Sequence, residues 1–154
     1  MIRLSRLTDY AVALLSHMGQ EREENLWAAS DLAEKSGLPM PTVAKVLKLL
    51  AKTGLITAQR GAAGGYKLAR MTNSISIAEI IEAMDGPIAI TDCSEGSAHE
   101  DCMIQSVCPM SQGWNKVNIA VRQALKNVSL AEMVTLPPSS FGNNADKARL
   151  AVGE

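Results

Sequence analysis

The feature that most constrains the fold is the order of elements across residues 38–70. Pro39 and Pro41 stand where a helix can begin but not continue. Residues 41–53 then divide into two faces: Val43, Val46, Leu47 and Leu50 share one, and Thr42, Lys45, Lys48 and Lys52 point largely the other way. Gly54 closes that helix. Residues 55–60 (LITAQR) alternate and are rich in strand formers, 61–65 (GAAGG) form a turn, and 66–68 (YKL) return, which predicts a hairpin with a glycine-rich tip. Upstream, Leu7, Tyr10, Ala11, Leu14, Leu15 and Met18 mark a first helix over residues 5–18. A charged loop follows, then a possible short strand over 25–28 and a second helix over 29–35 that stops at Gly37. Helix, turn, helix and hairpin in this order predict a mainly α chain with a small β-hairpin, a winged helix-turn-helix.

The rest of the chain predicts an appended arm. SIAE at 76–79 is a capping box opening a helix over 77–84, and DGP at 85–87 ends it. A loop over 88–112 precedes a long helix, about 113–127, whose stripe is Trp114, Val117, Ala120, Val121, Ala124 and Val128. SLAE at 129–132 is a second capping box for a last short helix. From Pro137 the composition turns to Pro, Ser, Gly and Asn and reads as a tail. The expected organisation is a winged-helix domain at 1–87, a cysteine loop at 88–112, a dimerisation helix with its short terminal helix at 113–134, and a flexible tail at 135–154. Apolar residues are 47% of the chain and aromatics 3%, so the core has to be aliphatic. Trp27 and Trp114 are expected inside it rather than as base-stacking platforms. His17, beside the first helix's stripe, is expected to pack half-buried.

Charge is split along the chain. Residues 1–70 hold ten Lys/Arg against six Asp/Glu, and residues 71–154 hold five against ten. A basic first half suits a nucleic-acid surface and an acidic second half a sensing or dimerising part, although ordinary surface variation would give the same imbalance. On the two-faced helix, Met40, Pro41, Thr42 and Lys45 are placed to meet base edges in a major groove. Lys48 and Lys52 are placed to meet phosphate, which gives salt-dependent affinity rather than sequence choice. In the hairpin, Arg60, Gly61, Gly64, Gly65 and Lys67, with Arg70 beyond, are placed to approach phosphate or enter a minor groove. Taken singly, lysines on an exposed helix face are solvated, and a glycine-rich hairpin is only a hairpin.

The only cysteines, Cys93, Cys102 and Cys108, fall within sixteen residues. Eight residues separate the first pair and five the second, so no C-x-x-C redox or zinc motif is present. Three thiolates are an odd set for a disulfide framework but suit an iron–sulfur cluster completed by another ligand. Zinc wants four tetrahedral ligands and commonly uses short knuckles that this loop lacks. A regulator based on thiol or zinc chemistry without a cluster is the alternative. His99 inside the loop is a further candidate ligand, or simply a solvated side chain among Glu95, Glu100 and Asp101. No segment reaches the ~20 apolar residues of a membrane span, and no export signal with a cleavage site is evident. The expected location is therefore the cytoplasm, where thiols stay reduced. No phosphate loop, nucleophile elbow or H-E-x-x-H occurs, so an enzyme is not expected.

RLTDYAVALL at 6–15, VAKVLKLLAKTGLI at 43–56, RGAAGGYKLAR at 60–70 and SIAEIIEAMDGP at 76–87 resemble the Rrf-two family of bacterial winged-helix regulators, over about residues 1–134. TDCSEGSAHEDCMIQSVCPMSQGW at 91–114 most resembles the branch that regulates the SUF iron–sulfur assembly system. The resemblance implies a homodimer formed through the long helix, a double-stranded DNA operator, and a 2Fe-2S or 4Fe-4S cluster on Cys93, Cys102 and Cys108. It also implies repression of iron–sulfur assembly genes, with nitric-oxide or redox sensing as the alternative signal. IscR-like members carry a histidine three residues past the third cysteine as fourth ligand, whereas this chain has Ser111. NsrR-like members carry an aspartate in the T-D-Y segment, here Asp9, that reaches the other subunit's cluster. On the residues alone, Asp9 also fits a first helical turn, where a carboxylate is favoured by the helix dipole.

Overall fold

The structure, a computed structural model, describes residues 3–20, 25–61, 63–91 and 108–135. Six α-helices, one 3-10 turn and one hairpin follow in the order α1 (Arg6–Gln20), α2 (Ala29–Ser36), α3 (Met40–Lys52), β1 (Ile56–Gln59), β2 (Gly65–Leu68), the 3-10 turn (Thr72–Ser74), α4 (Ile77–Asp85), α5 (Ser111–Lys126) and α6 (Leu130–Thr135). This is the expected mainly α winged helix with an arm.

α1 is the central element and packs on α2, α3, α4 and α6. Its apolar positions Ala11, Leu14, Leu15 and Met18 are fully enclosed, as are Leu32 of α2, Val43, Val46, Leu47 and Leu50 of α3, and Ile80 of α4. The core is aliphatic, with Trp27 the one aromatic residue among its buried members. Helix ends follow local chemistry. Gly37 terminates α2 at φ 68, a left-handed conformation that costs glycine nothing. The Ser5 hydroxyl accepts the Thr8 N–H at 3.2 Å and so caps α1. Ser76 and Glu79 close a reciprocal capping box on α4. Ser129 and Glu132 do the same for α6, through bonds of 2.7, 2.8 and 3.3 Å.

β1 and β2 pair antiparallel with Ile56 opposite Leu68 and Gln59 opposite Gly65. The segment at 25–28 adds a single bridge rather than a strand: Trp27 and Tyr66 exchange backbone bonds of 2.8 and 2.9 Å. That bridge explains Gly65, where a Cβ would lie 2.7 Å from the Trp27 carbonyl oxygen. Gly64 is crowded in the same way by the Gln59 carbonyl. These two glycines are thus required by the hairpin's own packing.

α5 begins at Ser111, two residues before the expected start, and α6 extends to Thr135. The expected tail beyond that, and Cys93, His99 and Cys102, lie outside the described residues.

Candidate nucleic-acid interface and cysteine site

α3 presents the division of faces that its sequence predicts. Val43, Val46, Leu47 and Leu50 have no exposed surface. Lys45, Lys48 and Lys52 are exposed, Thr42 is half-buried, and Met40 and Pro41 stand exposed at the first turn. Pro39 precedes the helix in an extended conformation, and its carbonyl accepts the Thr42 and Val43 N–H groups at 2.9 and 3.1 Å. The helix is therefore fixed in pose by its apolar face and free to offer cations on the other.

In the hairpin, Arg60, Gly61 and Lys67 are exposed, with Gly61 at φ 120. Arg70 departs from expectation. It lies past the end of β2 and is paired on the surface within its own chain: Nη1 donates to the Ser74 carbonyl at 3.1 Å and Nη2 to Glu79 Oε1 at 2.7 Å. Its guanidinium fork meets a carbonyl and a carboxylate one after the other, a geometry that sequence spacing alone does not reveal. Partial burial pushes the Glu79 carboxyl up, but hydrogen bonds from the Ser76 backbone and hydroxyl and from Arg70 outweigh it and hold the group below its ordinary value.

The arm differs from its sequence pattern. Among the described side chains of α5 no apolar one is fully buried, and the one fully enclosed is Asn118. Asn118 Oδ1 accepts the Ile90 N–H at 3.2 Å, and Arg122 Nη2 donates to Glu82 Oε1 at 2.9 Å. Asn118, Arg122 and Leu125 therefore form the inward face, because the facing surface of α4 carries Glu82. Trp114, expected in the core, is instead 42% exposed, and Val117 is 45% exposed. Val121 is half-buried and, with Leu125, Ile81, Pro87 and Ile90, lines a cleft of about 510 Å³. His17 is half-buried, as expected.

Of the candidate ligands, Cys108 is half-buried just ahead of α5, and Asp9 is exposed in the first turn of α1. Because Ser5 caps α1, Asp9 is not the cap. No three His, Cys, Asp or Glu side chains converge as a metal site among the described residues. Asn118 and Arg122 are residues that sequence reading missed, and Arg70 was read only as a DNA cation; their partners lie 28, 40 and 9 residues away in the chain.

A family model named Rrf2, described as an iron-dependent transcriptional regulator, matches residues 4–136. The chain belongs to the Rrf2 family. It is accordingly a transcriptional regulator, in a family of DNA-binding regulators rather than enzymes. Among solved structures, IscR of T. potens is 25% identical with a TM-score of 0.62, covering 99% of this chain and 93% of that one. CymR of Staphylococcus aureus is also 25% identical with a TM-score of 0.62, covering 86% and 98%. CymR of B. subtilis, described as the global cysteine regulator, shares the fold at 21% identity and a TM-score of 0.67, covering 88% and 98%. No helix among the described residues is long and apolar enough to cross a membrane.

Proposed function

We propose that this Rrf2 regulator is a cytoplasmic homodimer that senses an iron–sulfur cluster and represses iron–sulfur assembly genes by binding a double-stranded operator. The observation that carries the DNA part is α3, whose fully buried Val43, Val46, Leu47 and Leu50 leave Lys45, Lys48 and Lys52 in solvent. Met40, Pro41, Thr42 and Lys45 meet base edges; Lys48 and Lys52 meet phosphate; Arg60, Gly61 and Lys67 approach the neighbouring groove, on a hairpin shaped by Gly64 and Gly65. The exposed Trp114, Val117 and Ala124 of α5 support a second subunit, since a helix this poorly covered leaves apolar surface for a partner.

For the cluster, the donor chemistry fits: three thiols suit iron, and Cys108 is held half-buried at the base of α5. Cys93, Cys102 and Cys108 would hold it, with Asp9 of the other subunit, exposed and not used as a cap, as fourth ligand. When bound, the group would supply a redox- and supply-sensitive link between these residues. With clusters plentiful the dimer would occupy its operator, and without one it would be freed or retargeted. The family's description as iron-dependent and the likeness to an IscR support this reading. The test is anaerobic purification with iron and sulfide assays, followed by operator footprinting with and without cluster. Stoichiometric iron and sulfide with cluster-dependent protection are expected.

A second reading, a thiol regulator without a cluster, is favoured by the likeness to the CymR structures, one of them described as a cysteine regulator. Protein that stays free of iron and sulfide, yet loses DNA binding on thiol alkylation, would select it.

A further inference from the structure

The exposed face of α3 changes character along its length. Its N-terminal end shows Met40, Pro41 and Ala44 to solvent, with Met40 46% exposed, and the cations Lys45, Lys48 and Lys52 follow toward the C-terminus. Residues 40, 41 and 44 lie on one side of the helix, because positions three and four apart are neighbours there. The same end offers little to an anion, although a helix N-terminus usually presents free N–H groups to phosphate. Pro39 and Pro41 carry no N–H, and the Thr42 and Val43 N–H groups both donate to the Pro39 carbonyl, at 2.9 and 3.1 Å. The first turn therefore meets its surroundings mainly through apolar side chains.

The composition of α3 further restricts what it can read. Residues 40–52 contain no Arg, Asn, Gln, Asp or Glu. The two-bond pairing of Asn or Gln with adenine, that of Arg with guanine, and acceptance from cytosine by a carboxylate are all missing. The exposed side chains leave a lysine for the guanine acceptors O6 and N7, and apolar contact with the C5 methyl of thymine. That methyl is the one apolar group among the base edges of the major groove. An apolar patch flanked by three lysines thus matches a methyl-bearing edge flanked by phosphates.

We infer that Met40, Pro41 and Ala44 are specificity-determining residues that read thymine methyl groups in the major groove, with Lys45 beside them on guanine. This rests on the DNA-binding function proposed above and deepens it, and it needs no particular cofactor. The partner is double-stranded DNA with thymine opposite the N-terminal end of α3. Affinity still comes from the lysines on phosphate, and the methyl contacts choose the sequence.

The experiment uses the full-length chain, purified anaerobically. A duplex is selected from a random pool and then remade with single thymines replaced by deoxyuridine, which removes the methyl and keeps every hydrogen-bonding group. The selected site contains thymines, and deoxyuridine at those facing α3 weakens binding about fourfold each, the scale of one buried methyl. Met40→Ser removes the penalty at one of these positions and leaves the others, a coupling that a general effect of uracil on duplex shape does not produce. Ala44→Gln moves the preference at its own position from thymine toward adenine. Both side chains are exposed, so the melting midpoint is nearly unmoved. A selection that enriches no sequence, a site without thymine, or deoxyuridine that binds like thymine throughout overturns the methyl reading while DNA binding stands. A protein that binds no duplex at all overturns the DNA reading, and the methyl reading with it.

Discussion

α3 and α5 are helices of similar length in one small protein, yet they are held in opposite ways. α3 encloses four aliphatic side chains completely, and its exposed surface carries Lys45, Lys48 and Lys52. α5, among its described side chains, encloses only Asn118, meets α4 through Arg122 and Glu82, and leaves Trp114, Val117 and Ile119 at 42, 45 and 55% exposure. A helix that completes its packing inside its own chain can present a fixed polar face to a ligand. A helix that does not leaves apolar surface for a partner to cover. In the function proposed above, α3 is the reading element and α5 the assembling one.

The largest expected effect tests the first half of that contrast. Leu47→Ala should destabilise the protein by about 2–5 kcal/mol, because it opens a cavity in a closed core. Leu125→Ala on the half-buried face of α5 should cost clearly less in a denaturant melt at the same protein concentration. Equal losses would erase the distinction.

Val117→Asp addresses the second half. The side chain is exposed within the subunit, so the fold should survive, while sedimentation should show the dimer split and operator binding lost together. A monomeric parent protein would defeat this outright.

Charge sharpens the comparison further. Lys48→Ala should weaken DNA binding on all sequences and flatten the salt slope by about one unit, the signature of one lost phosphate contact. Lys126→Ala, at a lysine also exposed but at the end of α5, should change neither. Identical salt slopes for the two variants would remove α3 from the interface.

The smallest effect concerns the helix between them. At Asp85, partial burial pushes the carboxyl up, but hydrogen bonds from Ser5 and Thr8 outweigh it and hold it below its ordinary value of 3.8. Glu79 likewise lies below its ordinary 4.5. A carboxyl depressed in the folded state stabilises above its unfolded pKa, and that contribution disappears as pH falls through the folded value. The contribution of both groups should stay constant from neutral pH down to about 5 and decline below it. Asp85→Asn should reduce the decline in an acid-unfolding series without altering stability changes above pH 5.

How much of this was legible in the chain depends on the range of the interaction. The helices of the head, the glycine stop at Gly37, both capping boxes and the hairpin are written locally, because a 3.6-residue period, a cap or a turn is decided within a few residues. The two faces of α3 follow for the same reason. The candidate DNA contacts on α3 were therefore readable, and Cys93, Cys102 and Cys108 stood out by number and spacing alone. Arg70 looked like one more cation for DNA, and only the fold brings it to Ser74 and Glu79. Gly64 and Gly65 looked like freedom for a ligand, whereas Gly65 makes room for the Trp27 backbone. α5 showed an apolar stripe but not which side faces inward. Glu82 and the Ile90 N–H, groups 40 and 28 residues distant, meet Arg122 and Asn118 on that side, and partly buried polar groups are paired there by contacts that the local pattern does not encode.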